Sequence, residues 1–473
     1  MKTEKNQSDS VKQESSNLNL FRGLLLSVLV LLFMGVYTYI YEYSPFLQHH
    51  FKQINSLAIT KYSLKRSLKN NDYHIAANRL KQLHLLKKQK LVEDSINKIQ
   101  NYDGGQKGLL RFMNALYQVE SKKKGTCRIA YFGDSMIEGD LMSMSLRENL
   151  QEKYGGLGVG FVPITSNTND FRISIRHEFS ASWKKENLLN VSNLEYPLGI
   201  SGEYFIPATS TAENTVIYSA RNRKFVGEFP VTKLFYGKPK TESGINSLVF
   251  NNTPFELKGT SSVNTMVLSR KSIKTAKLNF RVKSELPIYG LSFESDYGVL
   301  LDNLPIRGNS GIPMTAIKSS ILKSFNKELD YDLIILQFGL NVVSKQTNFS
   351  WYKIKMKRVI NHFRTSLPNA SILIVSVPDV SEKNDKGQMQ TALAIPSIVE
   401  AQKSAAMQTG VSFFNLYKAM GEKNSMVKWV EELKYANKDY THFNYKGAQY
   451  ASEIIFKFFD ERYINYKKTK SIE

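Results

Sequence analysis

The stretch RIAYFGDSMIEGD, residues 128–140, contains a serine that could act as a nucleophile. It begins as a short apolar run, which is typical of a buried strand, and then breaks into Gly133, Asp134 and Ser135. A serine hydroxyl attacks an ester carbonyl only when a base removes its proton and a third group orients that base. Ser135 is therefore either a nucleophile at a strand end or a loop serine that closes a turn. Partners elsewhere in the chain must distinguish the two.

A base for Ser135 is expected at His442, which lies in the polar loop NKDYTHFNYKG near the C-terminus. Asp439 precedes His442 by three residues, so one turn of chain brings its carboxylate to the side of the imidazole that it would orient. The other histidines are expected to be structural or solvated: His49, His50, His74 and His84 in a basic segment, His177 in a β-rich region and His362 in an amphipathic helix.

Two later segments could donate hydrogen bonds to the negative oxygen that forms when an ester carbonyl is attacked. The apolar strand LIILQFG ends at Gly339, and Asn341 would present its amide there, unless it is only a polar strand terminus. In GVLLDNLPIRGNSG, Gly308 follows another apolar strand and could offer a backbone N–H with nothing in the way. Ligands of parallel sheets bind at the carboxyl ends of the strands, where both segments should meet Ser135.

In chain order, these segments resemble the four blocks of the SGNH (GDSL-type) hydrolases. The matching residues are Gly133-Asp134-Ser135, Gly308, Gly339-Leu340-Asn341 and Asp439 with His442. The resemblance implies that Ser135 is the nucleophile, His442 the base and Asp439 the residue that orients it. It also implies an oxyanion hole made of the backbone N–H groups of Ser135 and Gly308 and the side chain of Asn341.

The sequence departs from the family pattern at two points. Met136 follows the serine, where the short signature has leucine. Gly199 and Gly202, in PLGISGEY, are rivals for the block assigned to Gly308. We prefer Gly308 because it follows an apolar strand of the α/β type, whereas Gly202 begins a β-rich stretch and is expected to serve a turn.

The elements that must position these residues form an interrupted α/β pattern. Unalternated apolar strands separated by helices such as LMSMSLRENLQEKYGG and WYKIKMKRVINHFRTSLPN predict a parallel sheet covered on both faces. The resemblance implies a flavodoxin-like, three-layer SGNH hydrolase domain, which we assign to residues 125–168 and 296–466. Between these parts, at 169–295, alternating strands and Gly/Asn/Ser/Pro turns predict an inserted antiparallel β-sandwich or jelly roll. Its aromatic residues form either plain core or a sugar-stacking surface.

The N-terminal part of the chain predicts a membrane anchor followed by a stalk. Residues 23–41 carry no charge and, as a helix of about 1.5 Å rise per residue, match the hydrocarbon thickness. A cleaved signal peptide is the alternative, but no small-x-small site follows. We therefore expect a short cytoplasmic tail at 1–22, a transmembrane anchor at 23–42 and a helical basic stalk at 43–124. Lysines before the span favour a cytoplasmic N-terminus and an extracytoplasmic or periplasmic body.

The charge of the chain is strongly basic, with a formal net charge of +22. Residues 43–124 hold sixteen Lys and Arg against five Asp and Glu, a net charge of +11. This segment is a solvated helical face or is attracted to anionic lipid or an envelope polymer, and we expect no nucleic-acid partner. The single cysteine excludes an internal disulfide, no residues have metal-ligand spacing, and we expect no cofactor or metal.

The wider stretch YFGDSMIEGDLMSMSLRENLQEKYGGLGVGFVP and the β insertion resemble peptidoglycan O-acetylesterases that carry a carbohydrate-binding-like β domain. This resemblance implies a membrane-anchored serine esterase that removes O-acetyl groups from an envelope polysaccharide through an acyl-Ser135 intermediate. A less close resemblance leaves open an O-acetyltransferase with a membrane-bound acyl-donor partner. A third alternative is a sugar-binding protein that has lost its activity.

Overall fold

The computed structural model describes residues 108–471, apart from positions 124, 209–212 and 242–243, together with residues 32, 36 and 102. Most of the expected tail, anchor and basic stalk (1–22, 23–42 and 43–124) therefore lies outside the described residues. In the part of the chain that is described, no helix is both long enough and apolar enough to cross a membrane.

Between residues 108 and 471 the chain forms eight α-helices. They are α1 (Leu110–Glu120), α2 (Leu141–Tyr154), α3 (Ser319–Leu329), α4 (Ser350–Ser366), α5 (Ile395–Thr409), α6 (Leu416–Met420), α7 (Ser425–Glu431) and α8 (Tyr445–Lys470). The helices predicted from LMSMSLRENLQEKYGG and WYKIKMKRVINHFRTSLPN are α2 and α4, so both predictions are confirmed.

The same residues form eighteen strands. They are β1 (Thr126–Gly133), β2 (Gly160–Val162), β3 (Ile175–Phe179), β4 (Trp183–Asn187), β5 (Glu203–Pro207), β6 (Asn214–Ala220), β7 (Val231–Tyr236), β8 (Ser247–Phe250), β9 (Thr253–Glu256), β10 (Asn264–Ser269), β11 (Thr275–Arg281), β12 (Ile288–Glu294), β13 (Gly298–Pro305), β14 (Tyr331–Gln337), β15 (Ser371–Val375), β16 (Ser381–Lys383), β17 (Met389–Thr391) and β18 (Ser412–Phe414).

Five of these strands form a parallel sheet in the order β13-β1-β14-β15-β18. Numbered along the chain within this sheet, the order is 2-1-3-4-5, which is the flavodoxin-like arrangement. The predicted parallel sheet is therefore confirmed. The next two strands of this sheet along the chain, β13 and β14, lie on either side of β1, so the strand that carries the serine motif is an interior strand and not an edge.

The sheet is covered on both faces because successive residues of each strand point to opposite sides. On β14, Ile334 and Leu336 join a core with residues of α3, α4 and α5, whereas Leu333 and Ile335 join a second core. The second core includes residues of α1, α2 and α8, with Phe112 of α1 completely buried. Helix α1, which the sequence placed at the end of the stalk, is thus part of the three-layer domain.

The insertion consists of two antiparallel sheets. One has the order β10-β7-β12-β5-β4, with β2 paired to β12, and the other has the order β3-β6-β11-β8-β9. Apolar residues of both sheets, such as Leu234 of β7 and Leu278 of β11, share one buried cluster. The expected antiparallel β domain is confirmed, and its aromatic residues Phe205, Tyr218 and Phe293 lie in this core.

The insertion begins earlier than the predicted boundary between residues 168 and 169. Strand β2 belongs to the sheet of the insertion, although the sequence analysis assigned its residues to the hydrolase domain. A β-carbon at Gly158, whose φ is +99°, would lie 2.2 Å from the carbonyl oxygen of Phe293. The glycines of this stretch therefore allow close contact with neighbouring strands rather than only a turn.

A buried charge network lies on β1, close to the insertion. The guanidinium of Arg128 donates to both carboxylate oxygens of Asp302 at 2.9 Å, to Glu294 at 2.6 Å and to the Ser292 hydroxyl at 2.8 Å. Tyr331 also donates to Asp302, at 2.6 Å. All five side chains are buried, so each must find its partners within the protein.

This network joins the serine strand to the insertion. Arg128 belongs to β1 and Asp302 to its neighbour β13, whereas Ser292 and Glu294 belong to β12 of the insertion. Burial alone would raise the pKa of Glu294, but the nearby cations Arg128 and Lys233 lower it to about 2. The ionised pairs therefore hold the two parts of the chain in one arrangement.

Replacing Arg128 by methionine should lower the free energy of unfolding by about 3–5 kcal/mol, because the buried Asp302 loses its cation and the buried Glu294 keeps only Lys233. The matched control is Arg270→Met, which breaks a pair at 3.8 Å whose side chains are more than half exposed, and it should cost less than about 1 kcal/mol. Urea denaturation of both variants measures the difference, and equal losses would contradict the role given to the network.

Candidate active site

Three of the predicted blocks begin at the same level of the parallel sheet. Gly133, the last residue of β1, lies opposite Pro305 of β13 on one side and Gln337 of β14 on the other. Ser135 follows the first strand end, Gly308 the second and Asn341 the third. The carboxyl-end edge of the sheet therefore brings these residues together, as the sequence predicted.

The turn that carries Ser135 requires the glycine before it. A β-carbon at Gly133 would lie 2.8 Å from the Cγ1 of Ile137 and 3.0 Å from the carbonyl oxygen of Gln337. The chain then turns through hydrogen bonds from the Ile137 N–H to Asp134 and from the Glu138 N–H to Ser135, both at 3.3 Å. Ser135 is half-buried at the start of this turn and leads into α2.

The three residues predicted to form a triad are in contact. The Oγ of Ser135 lies 2.9 Å from the Nε2 of His442, although 307 residues separate them. The Nδ1 of His442 lies 2.8 Å from the Oδ2 of Asp439. This is the arrangement that lets a carboxylate orient an imidazole, which in turn takes the proton of a serine.

The loop that carries His442 is fixed by local hydrogen bonds. The second carboxylate oxygen of Asp439 accepts the N–H groups of Thr441 and His442, both at 3.0 Å. Burial raises the pKa of Asp439, but the hydrogen bonds from His442 and Thr441 outweigh it and lower the pKa below its usual value. Asp439 is therefore an ionised acceptor, and this acceptor favours the tautomer of His442 whose Nδ1 carries the proton.

Helix α8 positions the loop that carries His442. Asn444, two residues after His442, caps the helix by accepting the N–H groups of Lys446 and Gly447. The Ser452 hydroxyl of α8 donates to the carbonyl oxygen of Met142 in α2 at 2.7 Å. Since α2 follows the serine turn, this contact aligns the two loops that carry Ser135 and His442.

The candidate oxyanion donors surround the serine turn. Among the described residues, the backbone N–H groups of Ser135 and Gly308 donate to no other residue. Gly308 lies in an exposed turn with φ of +81°, a conformation that glycine adopts without strain. The side-chain amide of Asn341 donates to the carbonyl oxygen of Asn309 at 3.1 Å, which draws the third block toward the second.

Asp134 links the serine turn to the Asn341 loop. Its buried carboxylate accepts the N–H of Met136 at 3.0 Å, and the Asn341 amide lies 3.4 Å away. Burial raises the pKa of Asp134 to about 7, although hydrogen bonds from Met136 and Leu340 and the nearby His442 act to lower it. The family motif includes this residue, but no pattern in the sequence explained why a carboxylate is needed there.

Two described histidines and the rival glycines have other roles. His177 contacts the carbonyl oxygen of Ile164 at 2.9 Å, and burial lowers its pKa to about 3. His362 contacts the carbonyl oxygen of Ile317 at 2.8 Å. Gly199 and Gly202 form a turn before β5, closed by a hydrogen bond from the Gly202 N–H to the carbonyl oxygen of Gly199.

Sequence reasoning missed two positioning contacts in the site. Asn309 bonds the Gly311 N–H with its side chain and Asn341 with its carbonyl oxygen. Arg307, which precedes Gly308, pairs with Glu138 of the serine turn at 2.5 Å. Both residues stand beside Gly308 in RGNSG, so the motif marked the loop, but their partners lie too far along the chain to be found from spacing.

Asp134→Asn should stabilise the protein more at high pH than at low pH. The folded pKa of Asp134 is raised to about 7 from an unfolded value of about 4. The folded wild type therefore binds the proton more tightly, and its stability falls between these two pH values by at most about 1.4 kcal/mol per unit.

Urea denaturation of wild type and Asp134→Asn at pH 5 and pH 8 measures this difference. The same substitution at the exposed Asp385 controls for the added amide. A difference between wild type and Asp134→Asn that is the same at both pH values would show that Asp134 does not titrate in this way.

Comparison with known proteins gives a match at the level of structure. No family model matches the chain, and no curated protein matches it. A solved structure of a peptidoglycan O-acetylesterase in action is similar to it, with a TM-score of 0.64 and 21% identity. The match covers 77% of this chain and 99% of that one.

Other solved structures match more weakly. A family two carbohydrate esterase from Cellvibrio japonicus has 9% identity and a TM-score of 0.24, covering 62% of this chain and 99% of that one. One from Clostridium thermocellum, in complex with cellohexaose, has 9% identity and a TM-score of 0.26, covering 61% and 99%. Both TM-scores are too low to support a shared fold. The first similarity shows that the two chains share a fold, in agreement with the flavodoxin-like arrangement expected from the sequence.

Proposed function

We propose that this protein is a serine esterase that removes acetyl or other short acyl groups from hydroxyls of a cell-envelope polysaccharide such as peptidoglycan. The observation that carries the proposal is the chain of contacts from Ser135 to His442 to Asp439. These contacts lie beside backbone N–H groups that are free to bind an oxyanion. A loop serine that merely closes a turn needs neither an oriented imidazole nor such donors.

In the first half of the proposed reaction, the Ser135 oxygen attacks the ester carbonyl carbon while Nε2 of His442 takes the hydroxyl proton. The carbonyl π bond becomes an oxyanion, which the N–H groups of Ser135 and Gly308 and the amide of Asn341 stabilise. The intermediate collapses by breaking the bond to the sugar oxygen. His442 returns its proton to that oxygen, leaving a free sugar hydroxyl and acyl-Ser135.

In the second half, a water molecule attacks the acyl-serine carbonyl and gives its proton to His442. A second oxyanion forms in the same place and collapses by breaking the bond to the Ser135 oxygen. That oxygen recovers the proton from His442, and the carboxylic acid leaves. Asp439 keeps its negative charge throughout and stabilises the imidazolium in both halves.

The exposure of the triad supports a large substrate. The side chains of His442 and Asp439 are 36% and 48% exposed, so a polymer can approach them from solvent without entering a deep pocket. The structurally similar peptidoglycan O-acetylesterase, whose whole length this chain spans, supports an acetyl ester on a glycan as the substrate class. On the same proposal, residues 23–42 anchor the enzyme and its body lies outside the cytoplasm, near its polymer.

The experiment that tests the proposal is acetate release by the full-length protein from p-nitrophenyl acetate and from O-acetylated peptidoglycan. Ser135→Ala should abolish release from both substrates because, among the described residues, Ser135 supplies the only hydroxyl bonded to Nε2 of His442. Ser350→Ala, at an exposed position at the start of α4, is the matched control and should keep full activity.

The outcomes separate the enzyme from its alternatives. Release that depends on Ser135 and is unaffected by an added sugar acceptor supports the esterase. Acetyl groups that appear on the acceptor instead identify a transferase, in which a sugar hydroxyl replaces water in the second half. The absence of Ser135-dependent turnover of either ester would favour a sugar-binding protein, an alternative that the aligned triad argues against.

Asn341→Ala should lower kcat by about 100- to 1,000-fold with little change in KM, because the donor acts mainly on the charge of the transition state. Asn361→Ala, an exposed asparagine on α4, controls for loss of an amide and should leave kcat unchanged. Steady-state kinetics with p-nitrophenyl acetate measure both variants. A kcat for Asn341→Ala within threefold of wild type would remove Asn341 from the oxyanion hole.

A further inference from the structure

A polar cavity of about 200 Å³ lies where the insertion meets the hydrolase domain. Its walls come from the serine turn at Glu138, from the end of β13 between Asn303 and Arg307, and from Lys185, Ser201 and Glu203 of the insertion. It is smaller than the pockets of about 300–1,000 Å³ that hold drug-sized ligands. Its size suits one small polar unit rather than a long chain.

Three buried polar atoms of the residues that line this cavity make no hydrogen bond to a described residue, and one of them, the Oε2 of Glu138, is held by the ion pair with Arg307. The other two are the Oγ of Ser201 and the Oδ1 of Asn303. The residues are only 4% and 2% exposed, and they line the cavity from opposite domains. Buried polar atoms are nearly always paired, so an unpaired hydroxyl and an unpaired amide oxygen on two residues that line one cavity indicate a ligand or water that bonds to both.

The charged groups of the cavity are of both signs. Lys185 pairs with the buried Glu203 at 2.5 Å, and Arg307 pairs with Glu138 at the same distance. The buried Arg172 also lines the wall. A ligand of one sign would be repelled by part of this wall. A neutral ligand rich in hydroxyl groups, each able both to donate and to accept, fits all of it.

Two residues of the cavity wall are immediate neighbours of candidate active-site residues. The Glu138 N–H donates to the carbonyl oxygen of Ser135 at 3.3 Å, and Arg307 immediately precedes Gly308. The Arg307–Glu138 pair therefore bridges the nucleophile turn and the oxyanion loop at the rim of the cavity. A ligand bound there would lie beside the turn that carries Ser135 and the loop that carries Gly308, although neither residue lines the cavity.

We propose that this cavity, between Ser201 of the insertion and Asn303 of the hydrolase domain, binds one sugar unit of the polymer and so positions the ester on Ser135. The inference rests on the proposed function, because it names how that site recognises its glycan. It also gives the insertion a direct part in substrate binding, through polar side chains rather than through an aromatic stacking surface.

The test uses full-length protein carrying Ser135→Ala, so that the ligand is bound but not turned over. The probe is a mixture of O-acetylated disaccharide fragments released from peptidoglycan by a muramidase, titrated by calorimetry. Adding Ser201→Ala or Asn303→Val should weaken binding by about 3- to 10-fold, the effect of one lost hydrogen bond. Neither substitution leaves another protein group without its hydrogen-bond partner, because neither atom has a partner among the described residues.

Thr232→Val is the matched control. The Oγ1 of Thr232 is also buried in the insertion without a partner among the described residues, but Thr232 does not line the cavity. This variant should bind the fragments like its parent. Equal binding by all four proteins, or no binding by the parent, would overturn the inference and leave the cavity as a site for water.

Kinetics with Ser135 restored separate this inference from the proposed function. Ser201→Ala should lower kcat/KM for O-acetylated peptidoglycan by the same 3- to 10-fold, about one hydrogen bond, and leave p-nitrophenyl acetate unaffected. If Ser201→Ala turns over the glycan as fast as wild type, the inference is wrong but the esterase proposal stands. If fragment binding depends on Ser201 but neither ester is turned over, the esterase proposal is wrong and the sugar-binding inference stands.

Discussion

The register of the parallel sheet is the constraint on which the candidate site depends. Gly133 pairs with Pro305 and with Gln337, so three neighbouring strands end at one level and release their loops into the same space. Parallel strands must all present the same end at one edge. A slip of one residue in β13 or β14 would shift a donor loop by about 3.3 Å relative to Ser135, more than an oxyanion hydrogen bond tolerates.

The sheet positions Ser135 of the triad, but it does not position the pair formed by Asp439 and His442. This pair comes from the loop before α8, and its place depends on how that helix packs against α2. The Ser452–Met142 bond and the apolar core shared by α2 and α8 fix this packing. The Ser135–His442 contact is thus the result of two independent supports, the strand end and the helix pair, which meet over a distance of 2.9 Å.

The sequence allowed prediction of those features whose signal is local. Apolar runs predicted the five parallel strands, and Asp439 could be assigned to His442 because three residues separate them. Features made by distant partners were beyond its reach. Strand β2 was assigned to the hydrolase domain because its pairing partner in the insertion lies some 130 residues later, and Ser201 and Asn303 have no pattern that relates them. The cavity between those two exists only once the insertion has folded against β13.

The Arg128 network has a further consequence for the insertion. Domains that are joined only by exposed linkers can be removed or exchanged as independent units. Here the serine strand itself contributes the cation for a carboxylate of the insertion, and Phe161 of β2 donates its N–H to Asp302 of the hydrolase domain. Removing the β domain would take away the Glu294 partner of Arg128 and leave this buried cation, on the strand that leads to Ser135, with fewer partners. A chimera with another β domain would have to graft the partners of Arg128 and Asp302 along with it.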